Sequence, residues 1–166
     1  MLPDPTARLR FRAMGMADLD DMTAVLSAFD PVPVGRPART RDDAIRWIEW
    51  QVRNYAAYDF GLWVVETLEG DFVGDCGLTM QDVEGTQHVE VGYHVMPEMR
   101  RCGYAAEAAI AVRDCAAAAG VEHLIALIRP ENLPSQGVAR KLGMHVERTA
   151  YVHGADALVF GCRLDD

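Results

Sequence analysis

Closely spaced cysteines are missing from this chain. Its four, Cys76, Cys102, Cys115 and Cys162, stand too far apart for a CxxC redox pair or a paired zinc motif, so they read as reduced and mostly buried thiols. Long apolar runs are missing as well. None approaches the roughly 20 residues a membrane helix needs, and the opening MLPDPTARLRFR has no apolar stretch of the signal-peptide kind. The expectation is a cytoplasmic protein with no membrane partner. Basic residues are in deficit: 16 Lys and Arg against 25 Asp and Glu leave a formal net charge of −9. That argues against nucleic-acid partners, whose phosphates must be neutralised by clustered cations. Any anionic ligand needs a local exception.

Signatures of several other chemistries are absent too. There is no Walker loop ending in Lys and Ser or Thr, no three-glycine fingerprint after the first strand, no HExxH and no GxSxG. His and Asp are not clustered at metal-ligand spacing, so no metal is expected. What is present is an ordinary globular composition, half apolar and one quarter charged, over a length that fits a single domain spanning residues 1–166.

Periodicity divides the chain. RLRFRAM alternates as a strand does, and a helix follows with Leu19, Met22, Val25, Leu26 and Phe29 at helical spacing and Asp18 as N-cap. The prolines of DPVPVGRP predict a loop, after which Thr40 caps a second helix through about Tyr55. From Phe60 the period becomes two: FGLWVVET and DFVGDCGLTM flank a turn at LEGD, and TQHVEVGYHV follows QDVEG as a third antiparallel strand. A helix over about Ala105 to Ala119 stops at Gly120, HLIALIR reads as a buried strand, QGVARKL as a short helix stopped by Gly143, and MHVERTAY and DALVFGCRL as a closing strand pair. The class is α+β, one mostly antiparallel sheet flanked by helices.

The local cationic exception lies at MRRCGYAAEAA. A helix N-terminus offers unpaired N–H groups and the positive end of the peptide dipoles. Gly103 lets an anion approach the backbone, Ala105 and Ala106 keep the first turn uncluttered, and Arg100 and Arg101 add charge. On the strand before it, alternation puts His88, Glu90, Gly92 and His94 on one face and Val89, Val91, Tyr93 and Val95 on the other. One face is plainly polar. Among the aromatics Trp47, Trp50, Tyr55, Tyr58 and Trp63, most are expected in the core, with one or two from the Asp30–Thr40 loop or the following helix bordering a substrate.

Taken together, RLRFRAM…ADLDDM, VEVGYHVMPEMRRCGYAAEA and RPENLPSQGVARKLGM resemble the GNAT superfamily of acetyl-CoA-dependent N-acetyltransferases over nearly the whole chain. The E-x-G-Y strand, G-Y-A-x-E-A helix start and N-x-x-S…K-L-G segment look closest to the branch containing N-terminal acetyltransferases of ribosomal proteins. The resemblance implies a GNAT-like sheet with splayed central strands and acetyl-CoA as acyl donor. It implies that main-chain N–H groups from Arg101 through Cys102, Gly103, Tyr104 and Ala105 to Ala106 hold the pyrophosphate, with Arg100 at the motif's usual Gln or Arg position. Tyr93, His94 and Val95 would pair with the pantetheine amides, Asn132 would contact the pantetheine arm, and Ser135 would sit close to the sulfur. Helix capping is the competing role for Asn132 and Ser135.

Direct transfer to a primary amine needs a base, an oxyanion donor and an acid for the thiolate. Glu90 matches a glutamate that several family members use as base; His88 and His94 are alternatives, since imidazole titrates near neutrality. The resemblance implies the Val95 N–H as the oxyanion donor. Ala139 stands where many members carry a tyrosine acid, which leaves Ser135 for that step. The acceptor is a peptide N-terminus or a small-molecule amine, and the resemblance admits a homodimer. A catalytically silent acyl-CoA-binding or sensor module is the rival from another class.

Overall fold

A computed structural model describes residues 1–28 and 39–165. The proline-rich loop and Phe29 therefore lie outside the described residues. In chain order the elements are β1 (Leu9–Arg12), a 3-10 turn (Met16–Asp18), α1 (Leu19–Ser27), α2 (Arg41–Tyr58), β2 (Leu62–Thr67), β3 (Phe72–Val83) and β4 (Thr86–Val95). A second 3-10 turn (Pro97–Met99) precedes α3 (Tyr104–Ala118), β5 (His123–Ile128), α4 (Leu133–Lys141), β6 (His145–Val152) and β7 (Ala155–Arg163).

Three sequence expectations shift. Asp18 stands at the N-cap position of α1, yet its side chain makes no capping bond there; the carboxylate is instead taken by the Arg12 guanidinium at 2.7 and 3.0 Å and by the Gly15 N–H at 2.9 Å. QDVEG is not a loop throughout. Glu84 and Gly85 both have positive φ (52° and 89°), which builds a two-residue turn matched to strand twist, so Gln81–Val83 remain in β3. Helix α4 begins at Leu133 rather than Gln136, because Asn132 accepts from the Ser135 N–H and Pro134, lacking an N–H, fits the first turn. Thr40 caps α2 as expected, accepting from the Asp43 N–H while Asp43 accepts from the Thr40 N–H.

Among the described residues the strands form one sheet in the order β1-β2-β3-β4-β5-β7-β6. Every neighbouring pair is antiparallel except β4 and β5, which run parallel and pair only at Val89 with Leu124 and Glu90 with Ile125. Beyond that point the two strands part, giving the expected splay. One core fills the face under α3 and α4, where Ala108, Ala109, Val112 and Ala116 are buried against Leu78, Val91, Leu124 and Phe160. Small alanines let α3 lie close to the sheet. On the opposite face Met22, Leu26, Ala44 and Ile48 of α1 and α2 pack on Leu62 and Val64. No described helix is long and apolar enough to cross a membrane. Of the cysteines, Cys76 and Cys162 are buried and Cys115 partly so, while Cys102 is exposed.

Close approach explains one glycine in β3. A Cβ on Gly77 would stand 2.0 Å from the Gly61 carbonyl oxygen, which accepts the Leu78 N–H at 3.0 Å. Backbone cannot yield as a side chain tip does, so Gly77→Ala is expected to cost about 1–3 kcal/mol. The check is a lower urea midpoint with unchanged slope.

Candidate active site

Hairpin register assembles the polar face seen in the sequence. With Glu84 and Gly85 as the turn, β3 and β4 place Asp75 opposite His94, Gly77 opposite Gly92, Thr79 opposite Glu90 and Gln81 opposite His88. Directly opposed side chains touch. Thus Asp75 Oδ1 meets His94 Nδ1 at 2.5 Å, and the Thr79 hydroxyl donates to Glu90 Oε2 at 3.1 Å. The glycine pair between them leaves room for Leu62, whose Cδ2 would lie 3.2 Å from a Cβ on Gly92.

Glu90 also responds to the splay. Where β4 and β5 separate, the Leu127 N–H of β5 has lost a strand partner, and Glu90 Oε1 accepts from it at 3.2 Å. Gln81 Nε2 donates to the Thr79 hydroxyl at 3.1 Å, and His153 Nε2 lies 3.2 Å from Gln81 Oε1. Burial pushes the Glu90 carboxyl above the usual range; the Leu127 N–H, the Thr79 hydroxyl and the nearby His94 pull it partly back. His94 is backed by a fully buried carboxylate, since the Asp75 side chain is 0% exposed. Trp47 Nε1 holds the other Asp75 oxygen at 3.0 Å, and its ring meets the His94 ring edge-on at 5.5 Å.

Two clefts meet at His94. One, about 190 Å³, is bordered by Tyr93, Val95, Arg100, Ala105, Asn132 and Ser135 as well as His94. The other, about 480 Å³, is bordered by Trp47, Trp50, Thr79, Glu90 and Leu127 among others, with Arg39 and His153 at its wall. Arg39 lies over the Trp47 ring at 5.6 Å. Of the five aromatics singled out in the sequence, Trp47 and Trp50 thus border a cleft. Trp63 is core and Tyr58 is half exposed, while the hydroxyl of Tyr55 bonds the Leu62 carbonyl. The acceptor-bordering residues expected from Asp30 to Ala38 lie outside the described residues.

At the far end of the first cleft stands the start of α3. Arg101 and Gly103 are both left-handed, φ 61° and 82°, and no side chain caps the helix. Among the described residues no carbonyl accepts from the amides of Arg101, Cys102, Gly103, Tyr104, Ala105 or Ala106; the helical ladder begins with the Glu107 N–H on the Gly103 carbonyl at 3.1 Å. Six consecutive donors with left-handed residues among them are an arrangement able to cradle an anion. The Arg100 guanidinium is held by the Val95 carbonyl at 3.0 Å and the Ala28 carbonyl at 3.2 Å, so it ties the loop to β4 and α1.

The strand end is divided. The Met96 N–H donates to Val73 across the β3 edge, and because N–H directions alternate along a strand, the amides of Tyr93 and Val95 face the splay while that of His94 faces β3. Tyr93 donates its hydroxyl to the Ser135 carbonyl at 2.7 Å, and burial pushes its pKa up. Asn132 and Ser135 both border the cleft, and Asn132 at the same time caps α4. His88 is not drawn to the junction; its ring meets His123 edge-on at 6.0 Å. Ala139 is buried. The sequence reading missed Asp75, Thr79, Gln81, Trp47 as partner of a carboxylate, and His153. A two-residue turn at Glu84–Gly85 would have revealed the first three, since it alone sets which β3 residues oppose Glu90 and His94.

The family model described as an acetyltransferase (GNAT) domain matches residues 8–145. The protein YkkB of Bacillus subtilis is 34% identical over 153 residues, covering 87% of this chain and 86% of its own length. An acetyltransferase from Agrobacterium tumefaciens shares the fold with TM-score 0.82 at 23% identity over 98% of this chain and 94% of that one. RimL, a ribosomal L7/L12 α-N-protein acetyltransferase solved in complex with coenzyme A, does so with TM-score 0.77 at 13% identity over 99% of each chain.

Proposed function

The chain belongs to the GNAT acetyltransferase family, and we propose that it transfers an acetyl group from acetyl-CoA to a primary amine by direct attack in a ternary complex. One observation carries this reading: a cleft that reaches Ala105, at the uncapped start of α3, ends, at His94, on a second cleft holding Glu90. Diphosphate in the cradle and thioester at the junction span the first cleft. The acceptor amine enters the second, between Trp47, Trp50 and Glu90.

Glu90 takes the proton of the arriving ammonium, a task suited to a carboxyl whose pKa burial has raised. The neutral amine then attacks the thioester carbonyl, whose developing charge is met by the Val95 N–H facing the splay. Collapse breaks the carbon–sulfur bond; Ser135 gives its proton to the departing thiolate and recovers one from the intermediate's nitrogen, which leaves the neutral amide and the free thiol. Tyr93 and Val95 hold the pantetheine amides through their main chain, and Asn132 adds a side-chain contact. Acceptors of the RimL kind, peptide N-termini, and small-molecule amines are the two classes to compare. Excess negative charge on the chain favours a cationic acceptor.

The test is release of free CoA thiol from acetyl-CoA across a panel of peptide N-termini, polyamines and amino sugars, beside calorimetric binding of CoA. Amine-dependent thiol release is the expected result. CoA binding with no release under any acceptor favours the silent acyl-CoA module, and absence of CoA binding removes the reading altogether.

A further inference from the structure

Arg8 borders neither cleft, yet it reaches the cradle from the N-terminal end of the chain. Its Nη1 donates to the Cys102 carbonyl at 2.9 Å. Its Nε and Nη2 hold Glu107 Oε2 at 2.7 and 2.6 Å, and its guanidinium lies 4.6 Å from the centre of the Tyr104 ring. Glu107 is fixed in turn by the Thr6 hydroxyl at 2.6 Å and the Arg8 N–H at 3.1 Å. A guanidinium carries a planar fork of donors that can serve a carbonyl and a carboxylate together; an ammonium lacks that fixed geometry.

The consequence follows from the peptide bond. The Cys102 carbonyl and the Gly103 N–H are opposite ends of one planar trans unit, so a bond that fixes the carbonyl direction also fixes the N–H direction. Arg101 and Gly103, on either side of Cys102, are left-handed, a conformation that is unfavourable for a non-glycine residue such as Arg101 unless its surroundings hold it. Glu107 neutralises Arg8, which leaves orientation rather than net field as what the arginine contributes. Resting on the acetyl-CoA reading above, we infer that Arg8 is a positioning residue for the donor's diphosphate: by holding the Cys102 carbonyl it aims the Gly103 N–H and its neighbours into the cradle.

Two acyl donors separate this role from general support of the fold. S-Acetylpantetheine carries the thioester and amides of acetyl-CoA without its diphosphate. Arg8→Gln is expected to raise the KM for acetyl-CoA and the Kd for CoA about tenfold, the size of effect of a charge-assisted hydrogen bond. kcat at saturation and kcat/KM with S-acetylpantetheine should stay within about twofold. Arg8→Lys should recover only part of the loss, and Glu107→Gln, which loosens the arginine without removing it, should shift CoA binding in the same direction by less. Should Arg8→Gln fail to fold, the Lys and Glu107 variants read the same selective loss. Equal losses with both donors, or unchanged CoA binding, overturn the assignment while leaving acetyl transfer intact. A wild-type protein that binds no CoA overturns both.

Discussion

Ala105→Glu should raise the KM for acetyl-CoA about a hundredfold and leave the protein as stable as before. Ala105 borders the first cleft at the opening turn of α3, among the amides that grip the diphosphate in the proposed complex. A carboxylate there competes for those donors and repels the phosphates. At an effective dielectric of about 20, like charges about 5 Å apart repel by roughly 3 kcal/mol, which is about two decades in affinity. For the helix itself the sign is opposite: an acidic residue in the first turn is favourable by about 0.3–1 kcal/mol, which offsets the small propensity lost with alanine. Acetyl-CoA titrations of the initial rate, read beside thermal melts, check both halves. Full affinity in the variant would remove the α3 start as the anion site, and a matching fall in melting temperature would reduce the effect to damage.

Glu90→Gln should lower kcat by about a hundredfold or more, the range of a positioned proton acceptor. The amide is nearly isosteric. Its oxygen can still accept the Leu127 N–H and its NH2 can meet the Thr79 hydroxyl oxygen, so the bridge across the splay survives while the base is lost. In the wild type the acid limb of kcat/KM should lie above the ordinary glutamate value of about 4.3, because burial raises the carboxyl; in the variant that limb should be missing. Stability has its own sign. A carboxyl whose folded pKa exceeds its unfolded one favours folding when protonated, and that contribution is lost as pH rises through the folded value. Glu90→Gln should therefore be the more stable protein at neutral pH, with the advantage shrinking as pH falls through the raised folded value and gone once pH is below the ordinary glutamate range. An unchanged acid limb would exclude Glu90 as base and leave the Asp75-backed His94, at the junction of the two clefts, as the group to substitute next.

Local chemistry is legible in one dimension when it depends on neighbours along the chain. Thr40 and Asp43 declare a helix start three residues apart, and the alanines of α3 declare a close-packed helix. RRCGYAA declares an uncluttered, uncapped helix start, and the alternation of His88, Glu90, Gly92 and His94 declares a polar strand face. Errors came where a competing partner lay elsewhere. Asp18 reads as a cap, but Arg12 of β1 offers a charged fork that outbids a main-chain N–H. Asn132 reads as cofactor contact or cap, and the fold lets it border the cleft while capping α4.

By itself, then, the sequence determined the class of fold, the uncapped helix start at Arg101–Ala106 and the polar face of β4, because helix capping, strand alternation and unpaired helix N–H groups are properties of consecutive residues. Only the tertiary structure decided what stands behind those groups: Asp75 and Trp47 behind His94, Thr79 and Leu127 on Glu90, Arg8 on the Cys102 carbonyl. Those pairings depend on the register of one hairpin and on where β4 leaves β5, and one residue of slippage in a strand sends every side chain to the opposite face.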